Sequence, residues 1–135
     1  MPELPEVETV LRTLENALGQ VIIEDVEYSW RNIINQEIND FYRIKNQTIL
    51  KYKRYGKYLI FECEDVSLIC HLRMEGKFYI LDTNIPYDKH VHVIFQLNNH
   101  KYLQYHDTRK FGKMIVLDNH AVNDYFKSKK LGMDA

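Results

Sequence analysis

The sequence predicts an α+β fold: an antiparallel β-sandwich or flattened barrel with an N-terminal amphipathic helix and a C-terminal helix packed at the side. Apolar residues recur at helical spacing over residues 5–19, and short strand-like runs fill most of the chain from residue 46. A second helical stretch follows near residues 123–130. Consecutive short strands with short links favour antiparallel sheets with helices at one side. The 135 residues, 45% of them hydrophobic, predict one domain, 1–135.

The first helix is predicted by a stripe of apolar residues and by the glycine after it. The stripe consists of Val7, Val10, Leu11, Leu14 and Leu18, and Gly19 follows. Residues 20–30 have the β-branched content of a strand, and a short helix is predicted around residues 36–42.

The strands after residue 46 are predicted from alternation and turn residues. The stretch "TILKYKRYGKYLIFECE" predicts a hairpin that turns near Tyr55 and Gly56. In "SLICHLRM", Leu68, Cys70, Leu72 and Met74 fall on one face, and Ile69, His71 and Arg73 fall on the other. Four further strands are predicted in "GKFYILD", "HVHVIFQL", "HKYLQYHD" and "GKMIVLD".

Charge is distributed unevenly along a chain whose net charge is only -1. Residues 1–42 carry nine acids and two bases, residues 43–77 carry eight bases and four acids, and residues 78–135 carry eight bases and six acids. The basic middle suits a polyanion. No stretch is long and apolar enough for a membrane span, and the acidic start does not match a signal peptide, so we expect a cytoplasmic protein. Cys63 and Cys70 could pair across a hairpin, but buried free thiols fit that compartment better.

The opening "MPELPEVETV" supports two interpretations of Pro2 and Glu3. Proline in a first helical turn and glutamate at a helix start are ordinary structural choices. Alternatively, removal of Met1 makes the nitrogen of Pro2 a free amine, which titrates near 8 rather than near 10.4 as lysine does, so more of it is ready to attack a sugar carbon. Glu3 beside it could then donate a proton.

Further candidates lie in three later stretches. Lys57 follows Gly56 at the predicted hairpin tip, in the basic and aromatic run "KYKRYGKYL", a mixture that suits nucleic acid. "KHVHV" places His90 and His92 on one strand face, which is half a metal site with no recognisable third ligand, so no metal is expected.

The stretch "DTRKFG" predicts a tight loop. If that loop is extended, Arg109 and Phe111 point the same way and could fill a gap in a base stack. An ordinary charged turn with a buried phenylalanine is the alternative.

Five of these stretches together resemble the formamidopyrimidine-DNA glycosylase family: "PELPEVET", "RYGKYLIF", "HLRMEGKF", "KHVHV" and "DTRKFG", in family order along nearly the whole chain. The resemblance implies an enzyme that removes oxidised purines from DNA and cuts the strand at the abasic site. Pro2 would be the Schiff-base nucleophile, Glu3 the proton donor, and Glu6 a supporting residue.

The same resemblance implies roles for residues that touch DNA. Lys57 would contact phosphate and assist elimination, and His71 and His90 would bind backbone phosphates. Arg109 would contact DNA and, with Met74 and Phe111, fill the space of the flipped base. The partner would be double-stranded DNA with oxidised purines or abasic sites, bound by a monomer.

The sequence also departs from the family. "KHVHVI" stands where the family has "KHDHVD", which puts local loop contacts of Val91 and Ile94 in doubt. The family's helix–two-turn–helix and zinc finger are not matched here, so no cofactor is expected in this chain. The alternatives are a DNA-binding module of the same fold without useful catalysis, an endonuclease VIII-like glycosylase for oxidised pyrimidines, and a metal-dependent β-domain using His90 and His92. The endonuclease VIII branch usually has glycine where Leu4 stands.

Overall fold

The computed structural model describes residues 4–73 and 75–129, with side chains from residue 6 onward. It contains three helices in that part of the chain, α1 (Leu4–Leu18), α2 (Ile38–Phe41) and α3 (Val122–Lys129). Eight strands lie between them: β1 (Ile22–Tyr28), β2 (Gln47–Tyr55), β3 (Tyr58–Cys63), β4 (Val66–His71), β5 (Lys77–Leu81), β6 (Val91–Leu97), β7 (Tyr102–His106) and β8 (Lys113–Asp118). The predicted α+β class is confirmed.

The strands form one antiparallel sheet in the order β5-β7-β6-β1-β2-β3-β4-β8. Its two four-stranded halves are joined by a short pairing of β1 with β2, in which Ile22 lies opposite Thr48 and Ile23 opposite Gln47. The halves face each other, since Phe61 of β3 meets Phe78 of β5 edge to face with ring centroids 5.8 Å apart. This is the predicted sandwich, with the core between the halves.

Helix α1 closes one side of the sandwich with the predicted apolar stripe. Val7, Leu11, Leu14 and Leu18 are all buried in the main core. Gly19 ends the helix in a left-handed conformation, φ +57°, which favours glycine because other side chains clash there. A hydrogen bond from β2 fixes the end of this helix: the Tyr52 hydroxyl donates to the Gly19 carbonyl at 2.6 Å.

Strand β4 is buried on both faces. The alternating pattern predicted two different faces but did not indicate that both are buried. Leu68 and Cys70 enter the main core, as predicted, while Ile69 on the other face joins a second cluster with Ile60 and Phe126 of α3. Helix α3 therefore packs on the outside of the β3–β4–β8 layer. Burial of apolar surface on this second face, worth about 25 cal/mol per Å², stabilises the packing of α3 against the sheet.

The cysteines are free thiols buried in the core. Cys63 of β3 lies opposite Ile49, and Cys70 of β4 lies opposite Leu59, so the strand register does not place the two thiols across from each other. Burial raises the pKa of the Cys63 thiol to about 12 and raises that of Cys70 further above its ordinary value. The prediction of buried free thiols is confirmed for both.

Among the helices that the structure describes, none is long and apolar enough to cross a membrane.

Candidate nucleic-acid interface

The β2–β3 hairpin places Lys57 at its tip, as the sequence predicted. Tyr55 pairs with Tyr58, so the loop consists of Gly56 and Lys57 only. Gly56 has φ +57°, and its carbonyl accepts from the Arg54 guanidinium at 3.1 Å. Lys57 is half-buried, and its charge acts on His71 at the end of the neighbouring strand.

His71 ends β4 and is buried, with 8% of its surface exposed. Its Nδ1 accepts the backbone N–H of Arg73 at 3.1 Å, and its ring packs edge-on against Tyr58 at 4.6 Å between centroids. Burial, followed by the positive charges of Arg73, Lys57 and Lys129, lowers the pKa of His71 to about 4. The structure thus brings two predicted DNA contacts, Lys57 and His71, into one cationic region.

The loop of "DTRKFG" is organised by a carboxylate that the sequence reasoning missed. Asp107 is fully buried. Its Oδ1 accepts the N–H groups of Arg109 and Lys110, both at 3.1 Å, and its Oδ2 accepts the N–H of Gly112 at 2.8 Å and the Tyr105 hydroxyl at 3.0 Å. All four acceptor positions of the carboxylate are therefore used. A signal was available, because aspartate commonly bonds the backbone of the residues that follow it in turns.

The loop curls around Asp107 and is not extended, since Lys110 has φ +59°. The tight loop that the sequence predicted is therefore present, without the extended backbone that was the condition for Arg109 and Phe111 to point the same way, yet both side chains remain accessible. The side chain of Arg109 is 54% exposed, and Phe111 is 52% exposed. Lys110 turns back, with its ammonium 4.1 Å from the ring centroid of Trp30. The alternative of a buried phenylalanine is excluded.

A second turn, at residues 72–76, packs against the same tyrosine. The N–H of Gly76 donates to the Leu72 carbonyl at 3.0 Å, and a Cβ on Gly76 would lie 2.6 Å from the Tyr105 hydroxyl. The two turns are thus held together, and Arg109 Nε lies 3.8 Å from a carboxylate oxygen of Glu75. The predicted gap-filling residue Met74 lies outside the described residues.

Glu6 is exposed in the first turn of α1 and lines a groove of about 380 Å³ between that helix and β5. Glu75, Gly76 and Leu72 line the same groove. Glu6 therefore shares a surface with the turn that approaches Arg109. Pro2 and Glu3, the predicted nucleophile and proton donor, lie outside the described residues.

The histidines of "KHVHV" do not share a strand face. His90 precedes β6, and a register irregularity between Val91 and Val93 interrupts the alternation. His92 is buried, and its Nε2 lies 2.7 Å from the Asp107 carbonyl oxygen, to which it must donate. This nitrogen is therefore used in a hydrogen bond that holds the loop of Asp107 against β6.

His90 lies in a different environment, next to the buried His106. Its ring centroid lies 5.6 Å from that of His106, and its backbone N–H donates to Asp88 at 2.7 Å. His106 in turn contacts the other oxygen of Asp88 at 3.0 Å. Within residues 4–73 and 75–129, no three His, Cys, Asp or Glu side chains lie close enough to hold a metal ion.

Comparison with known proteins agrees with this geometry. The model of the formamidopyrimidine-DNA glycosylase N-terminal domain matches residues 1–114. Formamidopyrimidine-DNA glycosylases of Streptococcus pneumoniae strain R6 and Lactiplantibacillus plantarum are 44% and 41% identical over 133 and 134 residues. Those alignments cover 98% of this chain but 48% and 49% of the relatives, so the chain spans about half the length of the curated relatives it matches.

Solved structures of a Lactococcus lactis relative give the same result. A complex of that protein with FAPY-dG-containing DNA superposes with a TM-score of 0.88 at 38% identity, covering 95% of this chain and 49% of that one. A complex with DNA containing an abasic site gives a TM-score of 0.89 at 37% identity, with 96% and 48% covered. The model of the N-terminal domain matches most of this chain, and the solved relatives share its fold. The chain therefore belongs to the formamidopyrimidine-DNA glycosylase family and contains its N-terminal domain.

Proposed function

We propose that this chain is the catalytic domain of a base-excision repair enzyme that removes oxidised purines from double-stranded DNA and cuts the strand at the resulting abasic site. The observation that carries the proposal is the match of residues 1–114 to the family's N-terminal domain, in a fold shared with a DNA-bound relative. The cationic region of Lys57 and His71 and the accessible Arg109 and Phe111 support it.

In this proposal the secondary amine of Pro2, freed by removal of Met1, attacks C1′ of the damaged nucleotide. The bond from C1′ to the base breaks as Glu3 supplies a proton at the sugar, and the product is a charged iminium. The iminium withdraws electrons from C2′, which then loses a proton, and the bond from C3′ to its phosphate oxygen breaks. Lys57, at the hairpin tip, contacts the phosphate and assists this elimination.

The reacting bond is hidden in a duplex, so the base has to be extruded. Arg109 and Phe111 would occupy the space that it leaves, together with Met74. An aromatic ring stacked on a base contributes about 1–3 kcal/mol, which offsets part of the cost of unstacking. Phe111 is suited to this because half of its surface is exposed to solvent in the free protein.

Borohydride trapping on DNA with an abasic site tests the nucleophile, because reduction of the iminium fixes a covalent adduct. Mass spectrometry of the trapped peptide should place the adduct on residue 2. A matched variant that retains Met1 should trap nothing, since an acylated nitrogen cannot form the iminium. An adduct on Lys57 would contradict the assignment, and DNA binding without any trapping would favour a binding module of the same fold.

Glu3→Gln tests the proton donor. The carboxamide fills the same space but cannot donate the proton, so excision should be lost while the melting temperature changes little, because a helix-end charge contributes only about 0.3–1 kcal/mol. Excision near the wild-type rate would leave Glu3 as an ordinary helix-end charge.

The 135 residues alone should bind DNA weakly, as a monomer, and excise little from a duplex. Each phosphate contact contributes a slope of about 0.9 to the dependence of log affinity on log salt concentration, and the half of the relatives that this chain does not match would add further contacts. A salt titration with excision assayed alongside checks this. Full duplex excision at moderate salt would contradict it.

A further inference from the structure

The loop between β5 and β6 crosses the outer face of the β5–β7–β6 layer, and one buried side chain holds it there. Gln104 of β7 is fully buried, and its neighbours along the strand both enter the main core, so Gln104 points to the outer face. Its Nε2 donates to the carbonyls of Thr83 at 3.2 Å and Ile85 at 2.9 Å. Its Oε1 accepts the N–H of Tyr87 at 2.9 Å. The loop therefore keeps a defined conformation on the sheet.

This fixed loop exposes two large apolar side chains. Its far end is held by the contact of Asp88 with His106 at 3.0 Å, and the ring of Tyr87 stacks on that of Tyr79 with centroids 4.7 Å apart. Ile85 is nevertheless 68% exposed and Tyr87 is 60% exposed, the two highest values among the large apolar side chains that the structure describes. Neighbouring apolar exposure on an ordered loop is typical of a surface that contacts a partner.

A pocket of about 370 Å³ lies between this loop and the strands β1 and β6. This volume falls within the range of about 300–1,000 Å³ that is typical of ligand pockets. The apolar part of the lining consists of Tyr28, Ile85, Pro86, Val91 and Ile94. The pocket is therefore large enough to hold a bulky apolar side chain.

The apolar wall on the sheet side is particular to this chain. Val91 and Ile94 are the two positions at which "KHVHVI" departs from the family's "KHDHVD", so aspartate stands at both in the family pattern. Both side chains are buried here, and sheet register places Ile94 directly opposite Glu27 of β1. Two carboxylates at these positions would leave a polar wall, so the pocket is not part of the machinery that the family shares.

Two polar side chains at the rim of the pocket have no partner in the part of the chain that the structure describes. These are the carboxylate of Glu27 and the carboxamide of Asn84. The other polar groups are used: Ser29 donates to the Val91 carbonyl at 3.0 Å, and His92 donates to a backbone carbonyl at 2.7 Å. No described lysine or arginine lines the pocket. The pocket is thus complementary to a group that is apolar and carries a positive charge beside it.

We propose that this pocket is a docking site for a segment of a partner protein that presents a large apolar side chain next to a lysine or arginine. The apolar side chain enters between Pro86 and Ile94, the basic side chain pairs with Glu27, and Asn84 bonds the backbone of the segment. A nucleic acid would instead bring phosphate against an unpaired carboxylate. The pocket contains none of the residues to which the family resemblance gives a role, so the proposal does not depend on the function in DNA repair.

A library of random peptides displayed on phage and selected against the full chain is the probe. The selected peptides should share a large apolar residue adjacent to lysine or arginine. In NMR spectra, one such peptide should shift the amide resonances of Asn84, Ile85 and Ile94. Ile85→Ser should weaken its binding by roughly fivefold or more, as truncation of an interface anchor does. Leu50→Ser is the matched control, because Leu50 is an exposed apolar residue that does not line the pocket, and it should have no effect.

Charge reversal tests the role of the carboxylate. Glu27→Lys should weaken the binding of the same peptide by roughly tenfold or more, because two positive charges then oppose each other. Glu24→Lys is the matched control, since Glu24 is exposed on the same strand and does not line the pocket. It lies three residues away, about 10 Å along the strand, which exceeds the screening length of about 8 Å at physiological salt. Its effect should stay below about twofold.

Ile94→Asp introduces the residue of the family pattern and should abolish peptide binding. If this variant does not fold, Ile85→Ser and Glu27→Lys still decide, because both positions are exposed. The proposal is overturned if no peptide is selected, if the selected peptides are acidic, or if Glu24→Lys and Glu27→Lys have equal effects. An oligothymidylate that shifts the same resonances while no peptide does would assign the surface to nucleic acid. A concentration-dependent dimer that Ile85→Ser abolishes would assign it to a second copy of this chain, and either result would overturn the proposed partner.

Discussion

Replacement of Asp107 by asparagine should disrupt the loop that presents Arg109 and Phe111. Asparagine keeps the size of the side chain but offers one acceptor oxygen and a donor group. If its oxygen takes the position of Oδ1, the N–H groups of Arg109 and Lys110 keep their partner. Its NH₂ group then faces the N–H of Gly112 across 2.8 Å, donor against donor, in a fully buried position.

The cost follows from these contacts. The lost bond from Gly112 to a carboxylate contributes about 1.5–3 kcal/mol, and a buried donor without an acceptor costs about 1–3 kcal/mol more. The Tyr105 hydroxyl can rotate to accept from the NH₂ group, so it adds little. We expect Asp107→Asn to lower the free energy of unfolding by roughly 2.5–6 kcal/mol, a large share of the roughly 5–15 kcal/mol typical of a domain.

Denaturant unfolding measures the stability, and the single tryptophan reports on the loop itself. Trp30 lies under the ammonium of Lys110, so its native-state fluorescence should change when the loop detaches from Asp107. Asp82→Asn is the control, because the side chain of Asp82 is 82% exposed and its ion pair with Lys101 should contribute at most about 1 kcal/mol. A loss below about 1 kcal/mol for Asp107→Asn, with unchanged Trp30 emission, would refute the reasoning from its four hydrogen bonds.

Three further outcomes are expected. Gly112→Ala should destabilise the protein by about 3 kcal/mol or more, because the new Cβ would lie 1.7 Å from the Tyr105 hydroxyl. Gly19→Ala is the control: its Cβ meets nothing within 4 Å, so it should cost only about 1–2 kcal/mol for the left-handed backbone. Equal melting temperatures of the two variants would contradict this. The pKa of His71 falls from about 6.5 to about 4 on folding, so the unfolded chain binds more protons than the folded chain between these pH values. Stability should therefore decrease by about 3 kcal/mol as pH falls through that window, and His71→Gln should lack this part of the slope in acid titrations monitored by circular dichroism. Cys63 and Cys70 should resist a thiol reagent at pH 8 and react only on unfolding, and fast labelling of the native protein would show that their burial has been misjudged.

The sequence by itself determined those features that depend on neighbours along the chain. The apolar stripe of α1, the two-residue hairpin that ends in Lys57, and the alternation of Leu68 with Ile69 follow from the periods of helices and strands. Five short stretches in order were also enough to indicate the family, because each keeps particular residue types at fixed spacing. These signals are local, so they survive in the sequence without knowledge of what packs against them.

Only the tertiary structure decided how distant residues share charge and hydrogen bonds. In the sequence, nothing distinguishes Asp107 from other loop carboxylates, yet in the fold it is buried beside Tyr105 and accepts hydrogen bonds from three backbone N–H groups of the following turn. The sequence placed His92 on the same strand face as His90, whereas a register irregularity between Val91 and Val93 separates them and His92 donates to the Asp107 carbonyl. Lys129 meets His71 only because α3 docks on the second face of β4. The contacts of His92 and Lys129 join residues that are far apart in the sequence, and even the short-range hydrogen bonds of Asp107 depend on its burial in the folded protein. A sequence pattern predicts neither the distances between such side chains nor the loss of water around them.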